Sequence, residues 1–186
     1  MRVIAGEFGR RRIKDVPGKT TRSTTDKIKE ATFQRLGPFF EKGLCLDLFA
    51  GSGALGIEAL SRGMTHAYFV DTSSKAIKIM YENIHSLQLE DRCTIQKRHA
   101  IRALEQFKNE HISFDLILID PPYHSTIYEE ALHKIHTYAL LNHQGIIYCE
   151  HDKQLKMSWE DIPFKVIHSS TYGTITTTLL SHKDSE

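Results

Sequence analysis

The chain has 186 residues, 24 Lys+Arg against 23 Asp+Glu, and 40% hydrophobic residues, which suits one globular domain able to bury its core without a metal or disulfide staple. Cys45, Cys93 and Cys149 are odd in number and each lies in an apolar run, so they read as reduced core thiols. No window approaches the roughly 18 consecutive apolar residues of a membrane span, and residues 1–12 hold no secretory apolar stretch, so a cytoplasmic chain without a membrane partner is expected.

The net charge of +1 argues against a polyanionic partner only if the charge is spread evenly, and it is not. Residues 1–30 hold nine cations against four anions, +5, and the other 156 residues hold 15 cations against 19 anions, −4. The first segment is poor in large apolar residues and is broken by Pro17-Gly18 and a Thr/Ser run at 20–25. It reads as a basic hairpin or extended arm. A helix is expected from about Asp26, capped by Thr24 or Thr25 and ended by Gly37-Pro38. The arm with this helix, 1–40, is divided from a body over 41–186.

In the body, β-rich runs at 44–50, 67–71, 93–97, 114–120 and 146–150 alternate with helix-length segments at 54–62, 74–87, 100–109 and 128–140. Such repetition predicts βαβ crossovers and a mostly parallel sheet covered on both faces. Runs at 164–170 and 175–181 are joined by four residues, too few for a crossover helix, and so must form an antiparallel hairpin. The expected fold is a doubly wound, seven-stranded α/β sheet that ends in a hairpin.

Two turns carry the chemistry. Asp47-Leu-Phe-Ala-Gly-Ser-Gly53-Ala-Leu-Gly56 closes the first strand and opens the first helix of the body. Gly51 and Gly53 permit a sharp turn and close approach of a ligand, and Gly56 permits tight helix–sheet packing. A carboxylate at Asp47 would repel a pyrophosphate but attract an ammonium group. Asp71, 18 residues beyond Gly53 at the end of the second strand, can accept both hydroxyls of a ribose. Together they favour a nucleoside with a cationic amino-acid tail, S-adenosylmethionine, over a dinucleotide.

The fourth strand ends in Asp120-Pro121-Pro122-Tyr123. Two prolines stiffen the loop and remove its N–H donors, leaving a carboxylate, a main-chain carbonyl and an aromatic ring. A planar amine on the ring of Tyr123 could donate its two N–H groups as hydrogen bonds to Asp120 and the Pro121 carbonyl. Its lone pair would then point at a methyl group held over the glycine turn, and catalysis would be largely positioning. His124, His133, His136 and His143 show no spacing of metal ligands and read as surface or cap residues, so no metal is expected.

These residues resemble the class I S-adenosylmethionine-dependent methyltransferases, and more closely the RsmD-type enzymes that methylate N2 of a guanine in small-subunit ribosomal RNA. The likeness runs from Met-Arg-Val-Ile-Ala-Gly-Glu at the start, through 22–33, 46–60 and 114–123, to Tyr172-Gly173. It implies that Asp47, Phe49, Ala50, Gly51, Ser52 and Gly53 wrap the methionine end of the cofactor, Asp71 and Thr72 its ribose, and His99 and Ala100 its adenine, with Asp120 beside the reacting groups. The chain departs from the family pattern at His99, where relatives often carry an acid, and at Ser23, where they carry proline. The resemblance also gives the arm a use. Arg10, Arg11, Arg12, Lys14, Lys19, Arg22, Thr24 and Lys27 would grip RNA around an extruded base. The implied partner is ribosomal RNA in an assembling small subunit, met by a monomeric enzyme. The residues alone also admit an adenine-N6 or protein-glutamine methyltransferase, or a non-catalytic RNA-binding assembly factor.

Overall fold

The computed structural model describes residues 1–17, 25–122 and 126–184. Lys19, Arg22, Ser23, Thr24, Tyr123 and His124 lie outside these residues. Seven strands form one sheet in the order β3-β2-β1-β4-β5-β7-β6. β1 (Leu44–Asp47), β2 (His66–Asp71), β3 (Cys93–Lys97), β4 (Phe114–Ile119) and β5 (Leu141–Asp152) run parallel, and β6 (Phe164–Tyr172) and β7 (Ile175–His182) close the sheet as the expected antiparallel hairpin, β7 pairing with β5. β1 stops three residues earlier than the apolar run suggests. Its continuation, Leu48 to Ala50, bonds singly to the carbonyls of Leu118 and Val70 as the chain enters the glycine turn. β5 is longer than 146–150, because Leu141 pairs with Phe114 ahead of an irregularity in the β4–β5 register.

Side-chain caps set the starts of three of the described helices. α1 (Asp26–Leu36) begins where Thr25 Oγ1 accepts from the amide of Ile28, and α3 (Ser74–Ser86) where Ser73 Oγ accepts from Ala76. Of α2 (Ala54–Ser61), α4 (Ala100–Asn109) and α5 (Ile127–Thr137), α2 is buried along its whole length. Apolar residues of α1, α2 and α3 pack on one face of the sheet and those of α4 and α5 on the other, giving two cores.

The N-terminal hairpin closes through an antiparallel bridge between Arg2 and Arg12 and a bond from the Arg10 amide to the Val3 carbonyl. Of its apolar residues, Val3, Ile13 and Val16 are buried and Met1, Ile4, Ala5 and Phe8 partly so. A buried ionic cluster fixes it to the body. Glu58 on α2 accepts from the amides of Ile4 and Ala5 and from Arg62 Nε at 2.8 Å, and lies 3.8 Å from the ammonium of Lys29 on α1. Lys29 donates in turn to the Arg2 carbonyl at 2.6 Å, and the Arg62 guanidinium stacks on the ring of Phe33. Burial pulls the Lys29 amine below its ordinary value, with Glu58 opposing.

Candidate active site

After β1 the chain crosses to β2 on one side, while β4 pairs with β1 on the other, so the carboxyl ends of β1 and β4 flank the switch point where ligands of open α/β sheets bind. A cleft of about 720 Å³ opens there. The glycine turn forms its floor. Gly51 and Gly53 both take left-handed conformations, φ 57° and 84°, that a side chain would strain. At Gly56 a Cβ would stand 2.4 Å from the Phe69 ring, so the helix can sit this close to β2 only without one.

Asp47, Asp71 and Asp120 face the cleft at the ends of neighbouring strands, with Glu150 and Asp152 of β5 beyond them. Asp47 is buried and accepts from the Gly56 amide at 3.0 Å, so it tethers the first turn of α2 as well as lining the cleft. Asp71 accepts from Gly51 at 2.8 Å and from Ser73 at 2.9 Å, tying the glycine turn to the end of β2. Asp120 and the prolines after it stand beside them at the end of β4, with Pro121 buried and Pro122 exposed. Phe49, Ala50, Ser52, Thr72, His99 and Ala100 line the same cleft. His99 is exposed there, and its Nδ1 accepts from the Ile101 amide as the cap of α4.

Two groups of expected residues stand apart from this wall. Gly53 lies behind the lining as the first cap of α2. Arg10, Arg11, Arg12 and Lys14 are exposed on the hairpin, and Lys27 on the first turn of α1. Two of them already bond to α3: Lys14 to Glu82 at 2.7 Å and Arg11 to the Ser86 carbonyl at 2.9 Å.

A family profile described as "Conserved hypothetical protein 95" matches residues 1–181. A Bacillus subtilis protein named "Putative rRNA methyltransferase YlbH" is 41% identical over 93% of this chain and 94% of its own length. "Ribosomal RNA small subunit methyltransferase D" of Escherichia coli is 31% identical, covering 81% of this chain and 74% of that protein. Among solved structures, "Putative methyltransferase yhhF from Escherichia coli" superposes with a TM-score of 0.84 at 26% identity, over 100% of this chain and 99% of that one. The chain belongs to the small-subunit ribosomal RNA methyltransferase D family.

In this member of the methyltransferase D family, the cleft has walls that the sequence alone does not announce. Met1, Asp15 and Val16 bring the basic hairpin to its edge. Asn83 of α3, buried at 2% exposure, is the joint: its Oδ1 accepts from the Lys14 amide at 2.7 Å, and its Nδ2 donates to the carbonyls of Lys14 and Ser52, both at 2.9 Å. One side-chain amide thus holds the arm against the glycine turn.

The side beyond Asp120 is built by the end of β5 and the start of α5. Glu150 accepts from the Tyr148 hydroxyl at 2.7 Å, and its main-chain carbonyl accepts from the Tyr128 hydroxyl at 2.6 Å. Burial, with Asp120 and Glu150 nearby, pushes both phenols well above their ordinary value, so they stay protonated donors. His151 packs on Tyr128 and Trp159, bonds to Thr178 Oγ1, and is held below its ordinary pKa by burial. In sequence, the sign of this wall is Glu150 at the end of a buried run, the same position that Asp120 holds on the neighbouring strand.

Proposed function

We propose that the protein transfers the methyl group of S-adenosylmethionine to the exocyclic N2 amine of a guanine in small-subunit ribosomal RNA. The observation that carries this reading is the convergence of the glycine turn, Asp71 and the Asp120-Pro121-Pro122 turn on one cleft. The names of the relatives, rRNA methyltransferases, support the class of substrate.

The residues fit such a cofactor. The turn at Gly51 gives main-chain approach without side chains, and Asp71, oriented by two backbone amides, retains acceptor sites for ribose hydroxyls. Asp47 places negative charge under the ammonium end, and Thr72, His99 and Ala100 border the adenine end. The bound cofactor supplies an electrophilic methyl on a cationic sulfur. Asp120 and the Pro121 carbonyl accept hydrogen bonds from the two N–H groups of the target amine while Tyr123 supplies the stacking face; as the methyl moves from sulfur to nitrogen, one N–H proton passes to the Asp120 carboxylate. Positioning for in-line attack then provides most of the acceleration.

In this reading residues 1–40 serve RNA and 41–186 serve the chemistry. The enzyme works as a cytoplasmic monomer on RNA of an assembling small subunit, and no step calls on a metal. Two measurements test it. Titration calorimetry should show S-adenosylmethionine binding that Asp71→Ala weakens at least tenfold; no binding by the wild type contradicts the reading. Labelled cofactor with small-subunit RNA should yield N2-methylguanosine, whereas N6-methyladenosine moves the target to adenine.

A further inference from the structure

The arm's positive charge does not end on the arm. Lys14 lands on Glu82, and the charges of both Lys14 and Lys78 act on that carboxylate. Lys78 and Lys75 lie one turn apart on the exposed face of α3, toward its N-terminus. Lys97, the last residue of β3, donates to Ser74 Oγ at 2.6 Å, which places its ammonium at the start of the same helix. The next residue, Arg98, is exposed and lines the mouth of the cleft. The body carries a net −4, yet these cations follow one another along α3 and the end of β3; of the carboxylates beside them, Glu82 is paired with Lys14, and Asp71, opposite Lys97, accepts from the Gly51 and Ser73 amides.

We infer that this row, from Lys14 across Lys78, Lys75 and Lys97 to Arg98, is a second phosphate-binding track, along which the RNA backbone runs from the arm to the rim of the cleft. The inference rests on the RNA-methylating reading and goes beyond it, because it assigns RNA contacts to the body. The charge is complementary to a polyphosphate backbone, and the row stays on one exposed surface contiguous with the catalytic opening. RNA laid along it passes the cofactor side of the cleft while its target base turns in toward Asp120. Phosphate contacts of this kind fix register and carry no base specificity, so they suit a surface of flexible lysines.

The test compares two triple variants for binding to an unmodified transcript of small-subunit ribosomal RNA over a range of KCl concentrations. Lys75→Gln with Lys78→Gln and Lys97→Gln removes the row. Arg35→Gln with Lys42→Gln and Lys108→Gln removes the same charge from exposed positions at the amino edge of the sheet. The first triple should flatten the slope of log affinity against log salt by roughly 2 to 3, the loss of about three phosphate contacts, and weaken binding at low salt at least tenfold. The second should leave the slope within about one contact of wild type. Cofactor titration of both variants should match wild type, which shows that they fold. A slope unchanged in the first triple, or lowered equally in both, overturns the track. A wild type that binds RNA without salt dependence overturns the track and the RNA reading together, whereas normal methylation with an unchanged slope overturns the track alone.

Discussion

Asn83 offers a direct test of how the arm and the cofactor turn are joined. Its side chain is buried and makes three hydrogen bonds of 2.7 to 2.9 Å, two to the main chain of Lys14 and one to the Ser52 carbonyl. Asn83→Ala leaves one amide and two carbonyls without these partners. At about 1 kcal/mol for each lost bond, the variant should be destabilised by about 3 kcal/mol, and by less where water enters to replace them. Urea unfolding reads this as a lower midpoint at an unchanged slope. The same substitution frees the glycine turn from the arm, so calorimetry should show weaker cofactor binding. A variant within about 0.5 kcal/mol of wild type, a change typical of a neutral surface substitution, with full cofactor affinity, would refute the joint.

The remaining expectations concern buried charge and pH. Glu58→Ala strands Lys29 and Arg62, both fully buried, beneath the hairpin, and should cost about 3–5 kcal/mol in urea unfolding; a loss below about 1 kcal/mol would mean that the cluster relaxes to water. His66 and His151 are both held below their ordinary value of 6.5, in each case first by burial, with Arg92 adding to the effect at His66 and Asp152 opposing it at His151. The unfolded chain therefore takes up protons before the folded one does. Stability should fall as pH drops through 6.5 and level off once the folded imidazoles titrate, a trend that thermal melts resolve and that His151→Gln should shrink. Melting points unchanged between about pH 7.5 and 5.5 would contradict the assignment.

The sheet was legible because its strands are short apolar runs separated by helix-length segments. The alternation from Leu44 to Glu150, and the four-residue link before Ile175, leave little freedom of topology. Gly51, Gly53 and Gly56 were legible for a similar reason, since their spacing answers a backbone demand that the φ values and the Phe69 contact make concrete. The early part of β5 was not. Asn142, His143, Gln144 and Gly145 read as a loop, yet the neighbouring Leu141 pairs with β4, and the His182 ring bonds to the carbonyls of Leu141 and Asn142. Nor was the seating of the arm. Lys29, Glu58 and Arg62 look like solvated helix charges, and only tertiary packing shows that both cations pair with Glu58 under the hairpin. Asn83 carries no local signal at all, because its partners are main-chain atoms far away in sequence.

Asp120 tests the central claim most directly. Methyl transfer from labelled S-adenosylmethionine to small-subunit ribosomal RNA should be measured for wild type and Asp120→Ala under single-turnover conditions, beside cofactor binding by each. The expected result is transfer reduced by at least a hundredfold, in the range for loss of a positioned proton acceptor, with cofactor affinity changed by less than about tenfold. Transfer within a few-fold of wild type would contradict the role of Asp120 and, with it, the account of how this cleft activates an amine.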